Sequence, residues 1–260
     1  MKLEHVSRLT RDIKEASRTL SGDKARFLVD YYYIAQEDRK RSCNQVRALD
    51  DRAEPNLVIQ WLATQTGTLE AQIQRALDAY TDEHEMGSWM RQTVGIGPII
   101  SAGLLAHIDI AKAPTVGHIW RFAGLDPTQK WEKGQKRPWN AGLKTLCWKA
   151  GQSFMKFSGR EDCEYGQWYR KRKEYEISRN ERGDNAGLAS ALLLKVGKGT
   201  EAHKHLAEGR LPPGQIDARA RRWAVKLFLS HLHEEWYRRR FGVEPPNPYP
   251  IAILGHAHRI

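Results

Sequence analysis

Val94-Gly95-Ile96-Gly97-Pro98-Ile99-Ile100-Ser101-Ala102-Gly103-Leu104-Leu105 is the stretch whose reading decides the fold. A glycine, a hydrophobe and a second glycine make a tight turn between two helices, because glycine accepts backbone angles and close approaches that other residues resist. Ile96 is placed to plug the space between those helices. Pro98 suits the first turn of the second helix, where its missing N–H costs no hydrogen bond. Ser101, Ala102 and Gly103 are small, so the helices can pack closely. The freed backbone amides around Gly95, Ile96 and Gly97, with Ser101 beside them, then form a phosphate site helped by the helix dipole. Contacts of this kind position a nucleic-acid backbone without reading its sequence.

Outward from this turn, nearly everything reads as helix. Val6, Leu9, Ile13, Ala16 and Leu20 recur at helical spacing over His5 to Leu20. Ser21 is a natural N-cap for a long helix from about Asp23 to Asp50. Glu54-Pro55-Asn56 breaks the chain, and a second stripe follows in Leu57, Trp61, Leu62, Leu69, Ile73 and Leu77. Two long helices joined by a tight break predict an antiparallel hairpin, or a coiled-coil seam for a homodimer. Further helices are expected at 98–108, 115–123, 140–157, Glu164–Arg179, 188–196 and Ile216–Phe241. Between two of them lies GLDPTQKWEKGQKRPWN, an irregular basic segment or short β-hairpin. The predicted class is mainly α, in three parts. Residues 1–90 are a long-helix region, 91–160 a helix-hairpin-helix DNA-binding domain, and 161–260 a basic helical extension with a Pro-rich tail.

Charge is unevenly spread. Residues 1–90 carry 13 Lys/Arg against 15 Asp/Glu, whereas residues 91–260 carry 29 against 16. Basicity thus begins where the glycine turn begins, which points to a polyanion as partner. No apolar run reaches the roughly 18 residues that a membrane span needs, and the N-terminal stretch lacks the apolar core of a signal peptide. No membrane association and a cytoplasmic location are therefore expected. Cys43, Cys147 and Cys163 are odd in number and widely spaced, which argues against a disulfide framework or a zinc ribbon.

The order GIGPIISAGLLAHI, IWRFAGLDP, QKWEKGQKRPWN, AGLKTLCWKAGQSFMKF, spanning about 94–157, resembles the C-terminal domain of the bridge-RNA-guided insertion-sequence transposases. The resemblance covers about a quarter of the chain and implies a helical DNA-binding module of phage or mobile-element type. That family also carries a nucleophilic serine in the loop after Gly-Leu-x-Pro and a RuvC-like domain of alternating strands and helices. Here the loop reads Thr128-Gln129-Lys130-Trp131-Glu132-Lys133-Gly134, and no serine occurs between Ser101 and Ser153. Residues 1–90 read as long helices without strands. Transposition by this chain alone is therefore not expected. The helix-hairpin-helix of base-excision glycosylases is also similar, but the places of its catalytic lysine and aspartate hold Ile99, Ile100 and Val116-Gly117-His118.

Gly95, Ile96, Gly97, Ser101, Lys130, Lys133, Lys136, Arg137 and Lys144 are the expected DNA contacts. A C-terminal run rich in Arg219, Arg221, Arg222, Lys226, Arg238, Arg239 and Arg240, interleaved with Trp223, Trp236 and Tyr237, extends that surface or forms a solvated face over a core. A DNA-modifying enzyme acting on a flipped base is the alternative, with Asp126, Lys130, Lys133, His231, Glu235, His256 and His258 as candidate catalytic groups. No cofactor is called for. A divalent metal held by His231, Glu235, His256 and His258 is the one geometry open to it, since His231 and Glu235 stand four apart on a helix. A structural or regulatory dimer, marked by an apolar seam left exposed in the monomer, is the third possibility.

Overall fold

The computed structural model describes residues 8–247, and among them every regular element is helical. The mainly α class is borne out. The helices are α1 (Arg11–Arg18), α2 (Gly22–Asp50), α3 (Leu57–Asp82), α4 (Gly87–Gln92), α5 (Pro98–His107), α6 (Val116–Phe122), α7 (Ala141–Phe157), α8 (Glu164–Glu181), α9 (Ala186–Leu193), α10 (Glu201–Ala207) and α11 (Pro213–Phe241), with a 3-10 turn at Ile110–Lys112. The chain forms two compact units. One is Met1–Gln92 with Ile96–Asp109, the other Thr93–Gly95 with Ile110–Ile260.

In the first unit, α2 and α3 form the expected hairpin. Ser42 bonds Thr66 at 3.1 Å, while Gln36 reaches Glu70 at 3.2 Å and Arg39 pairs with the same carboxylate. Partners on α3 rise in number as those on α2 fall, so the two helices run antiparallel. Asn56 caps α3 by accepting from the amides of Val58 and Ile59 at 3.0 and 3.2 Å, which satisfies donors that a helix start leaves orphaned. The α3 stripe divides. Ile73 and Leu77 are buried, whereas Leu57, Trp61 and Leu62 stay exposed.

The compact units fall differently from the expected divisions at 91 and 161. α5 packs against α2 and α3, since its buried Ala102, Gly103 and Ala106 let long helices come close. Residues 110–160 and the C-terminal helices share the second unit, because α11 lies along both α7 and α8. The core there is an aromatic cluster. Phe154 and Tyr165 each set their rings against Phe228, at 5.6 and 5.2 Å between centroids. Gly151 permits the close crossing, for a Cβ there would stand 3.1 Å from Val225. A smaller apolar cluster of Ala189, Leu206, Leu211 and Ile216 ties α9 and α10 to the start of α11.

The three cysteines are free, and Cys147 and Cys163 are buried as space-fillers. Burial pushes the Cys147 thiol up to about 12. Among the described residues no helix is long and apolar enough to cross a membrane.

Candidate nucleic-acid interface

The second unit carries the richest site. The chain leaves α6 through a full C-terminal cap. Gly124 lies at φ +64°, its amide bonds the Arg121 carbonyl at 3.1 Å, and the Leu125 amide bonds that of Trp120 at 2.8 Å. A Cβ on Gly124 would come within 2.7 Å of the Trp139 indole, so glycine is required here for both conformation and space. Asp126 then accepts from the Thr128 amide at 2.9 Å and from its hydroxyl at 2.7 Å, fixing a tight turn. Burial raises the Asp126 pKa, but the Thr128 hydrogen bonds and nearby Arg121 and Lys226 outweigh it and hold the carboxyl below its ordinary range. The segment is irregular throughout rather than a β-hairpin. It closes where the Asn140 amide bonds the Phe122 carbonyl at 2.8 Å, and the Asn140 side chain caps α7 through the Leu143 amide at 2.8 Å.

This loop and the start of α7 present Lys130, Lys133, Lys136, Arg137 and Lys144, all exposed. None of the five makes an ion pair among the described residues, and neither does Arg222 on α11. Partial burial, with the Arg137 and Arg222 guanidinium groups close by, pushes the Lys144 ammonium below its ordinary value. Like charges are thus gathered here with a single acidic side chain, Glu132, among them, and it pairs with none of them. Indole rings alternate with the cations. Lys144 Nζ stands 4.0 Å from the centre of Trp139, and the Arg137 guanidinium lies 5.1 Å from that of Trp131. Trp131 is pinned by its Nε1, which donates to the Gln135 carbonyl at 2.8 Å. Phe122, Lys136, Arg137, Pro138, Trp139 and Asn140 line a shallow open cleft of about 480 Å3.

The glycine turn is placed differently. Gly95 takes φ +97°, its carbonyl accepts from Ser153 Oγ at 2.6 Å, and a Cβ would stand 3.2 Å from the Phe154 ring. Ile96 is buried, as its role as a plug requires. Gly97 is exposed with open space around it, and no side chain caps the start of α5. Ser101 is a correction. It is completely buried with its hydroxyl unpartnered, because it faces into the first unit one turn past Gly97, so its side chain offers nothing to a phosphate.

Four of the C-terminal arginines, Arg219, Arg221, Arg238 and Arg239, are also corrected. Arg219 bonds Glu176 at 3.0 Å and Arg221 forms an ion pair with Asp217 at 2.7 Å. Arg238 meets Glu234, Glu235 and Glu244, and Arg239 meets Glu235 at 2.7 Å. Their charges are spent inside the protein. Trp236 is core, and Trp223 sits half-buried against Trp168 at 6.0 Å. Lys226 lies over Trp120, 4.1 Å from the ring centre.

The catalytic candidates among the described residues do not converge. Asp126 serves its turn, and the cleft is lined by neither Asp126, Lys130 nor Lys133. His231 Nδ1 pairs with the buried Tyr165 hydroxyl at 2.9 Å, whereas Glu235 is taken by Arg238 and Arg239. His256 and His258 lie outside the described residues. Among those described, no three His, Cys, Asp or Glu gather to hold a metal ion. Sequence reasoning named Arg222 with the other C-terminal arginines but missed Trp148. The spacing of Trp148, four residues after Lys144 on α7, was the available signal. No protein-family model, curated protein or solved structure matches the chain.

Proposed function

We propose that this protein binds DNA by gripping its phosphate backbone through the loop at 126–140 and the start of α7. One observation carries the reading. Lys130, Lys133, Lys136, Arg137, Lys144 and Arg222 lack carboxylate partners, on a unit whose other arginines are largely matched to acids. Gathering unpaired cations is unfavourable in the free protein, and a polyanion relieves that cost while releasing its condensed counterions. In the first unit, taken by itself, the exposed Gly97 and the uncapped start of α5 match the helix-hairpin-helix kind of backbone contact. The resemblance of residues 94–157 to a transposase DNA-binding domain agrees with this ligand and supplies no nucleophile, so binding rather than strand transfer is the activity proposed. Base modification has no observation in its favour.

The test is the K136Q/R137Q/K144Q variant in a polarisation assay with labelled DNA. At low salt it is expected to bind on the order of 100-fold more weakly, with its melting temperature unchanged because these side chains are exposed. Unaltered affinity would refute the proposal.

A second reading concerns the first unit. Phe27, Tyr31 and Ile34 recur at helical spacing on α2 and remain exposed, at 67%, 39% and 56%. An apolar stripe of that kind is the sign of a homodimer seam. Sedimentation equilibrium of wild type and of F27E/I34E would show a dimer dissociating in the variant. A monomeric wild type would dispose of this reading.

A further inference from the structure

We infer that the DNA held by this surface is single-stranded, with unpaired bases stacked on Trp148 and Trp131. The inference rests on the DNA-binding reading above and narrows its ligand.

The surface is more aromatic than phosphate contact requires. Trp148 is 58% exposed, and it makes no hydrogen bond, ring contact or cation contact among the described residues. It stands one helical turn after Lys144 on α7, so ring and ammonium share a helix face. Lys144 in turn covers Trp139, Trp139 shares the cleft with Lys136 and Arg137, and Arg137 lies against Trp131. The result is a continuous row: Trp148, Lys144, Trp139, Lys136 with Arg137, Trp131. Ring and cation alternate along it, as base and phosphate alternate along a nucleic-acid strand.

The rings differ in what they can offer. Trp139 is half-buried and already covered by Lys144, which makes it a wall of the cleft. Trp131 has its edge fixed by Gln135 and one face approached by Arg137, leaving a preorganised ring that is still 45% exposed. Trp148 is unencumbered. Phe122, 44% exposed, adds a fourth ring at the cleft. A duplex hides the faces of its bases within its own stack and shows only their edges, so these rings gain little from it. A single strand exposes every base face, and stacking on an indole needs no particular sequence.

The experiment uses the full chain and three labelled ligands of equal length: oligothymidine, a duplex, and an abasic single strand with the same phosphates and no bases. Wild type is expected to bind oligothymidine at least tenfold more tightly than either of the others. Trp148→Ala is expected to lose about 5- to 100-fold on oligothymidine, with its salt dependence unchanged, and to bind the abasic strand as wild type does. Trp148→Phe should recover most of the loss, since phenyl also stacks. The melting temperature serves as the folding control, Trp148 being exposed. A wild type that prefers the duplex, or a Trp148→Ala variant that treats oligothymidine as wild type does, overturns the single-strand inference and leaves DNA binding intact. Failure of wild type to bind any of the three removes both.

Discussion

Two basic regions of the second unit differ in how their charges are answered. Between α8 and α11, Arg172, Lys173, Arg219 and Arg221 are matched to buried or half-buried carboxylates. Glu176, 1% exposed, takes Arg172 at 2.5 Å and Arg219 at 3.0 Å, and Asp217 takes Lys173 at 3.1 Å and Arg221 at 2.7 Å. From Lys130 to Lys144, by contrast, cations meet only indole rings and solvent. The same residue types thus serve two ends. Paired, they fix one helix against another. Unpaired, they wait for an external anion. Net charge alone cannot separate these cases, because it counts both equally.

The contrast can be broken most forcefully at Glu176. Glu176→Ala strands Arg172 and Arg219 at the α8–α11 contact, and a loss of about 3 kcal/mol is expected. Urea denaturation measures it. Affinity for DNA should change little below the unfolding range, since these arginines are not part of the proposed surface. If instead the variant bound DNA more tightly at full stability, the distinction between structural and ligand-directed cations would be false.

A smaller effect comes from acid. Burial raises the Asp217 pKa, but the hydrogen bonds from Tyr169 and Lys173 and the charge of Arg221 outweigh it and leave it below the ordinary carboxylate value. A carboxyl whose pKa is depressed in the folded state adds stability that is complete above its unfolded pKa, near 4, and is lost as pH falls through the folded value. Stability should therefore decline below about pH 4, and Asp217→Asn should be less stable at pH 7 with a shallower acid limb. Parallel acid limbs in the two proteins would show that Asp217 does not contribute in this way.

Much of this was legible in the residues themselves. Helical periodicity located the α2–α3 hairpin, and the Gly-Leu-x-Pro run at Gly124–Pro127 marked the end of α6. Lys130 to Lys144 could be singled out because they cluster in sequence. What stayed hidden was pairing at a distance. Glu176 and Arg219 lie 43 residues apart, and nothing in the primary pattern joins them. The inward aim of Ser101 was hidden too, since it depends on α2 and α3 packing on α5. α4 has six residues, too few to show a period.

The central claim, that the unpaired cations between Lys130 and Lys144 grip a phosphate backbone, is tested most directly by titrating DNA affinity against salt. These five cations together with Arg222 predict a logarithmic slope of about −4 to −5, and K136Q/R137Q/K144Q should bring it closer to zero by about 2 to 3. A wild-type slope near zero, or an equal slope in the variant, would contradict the account.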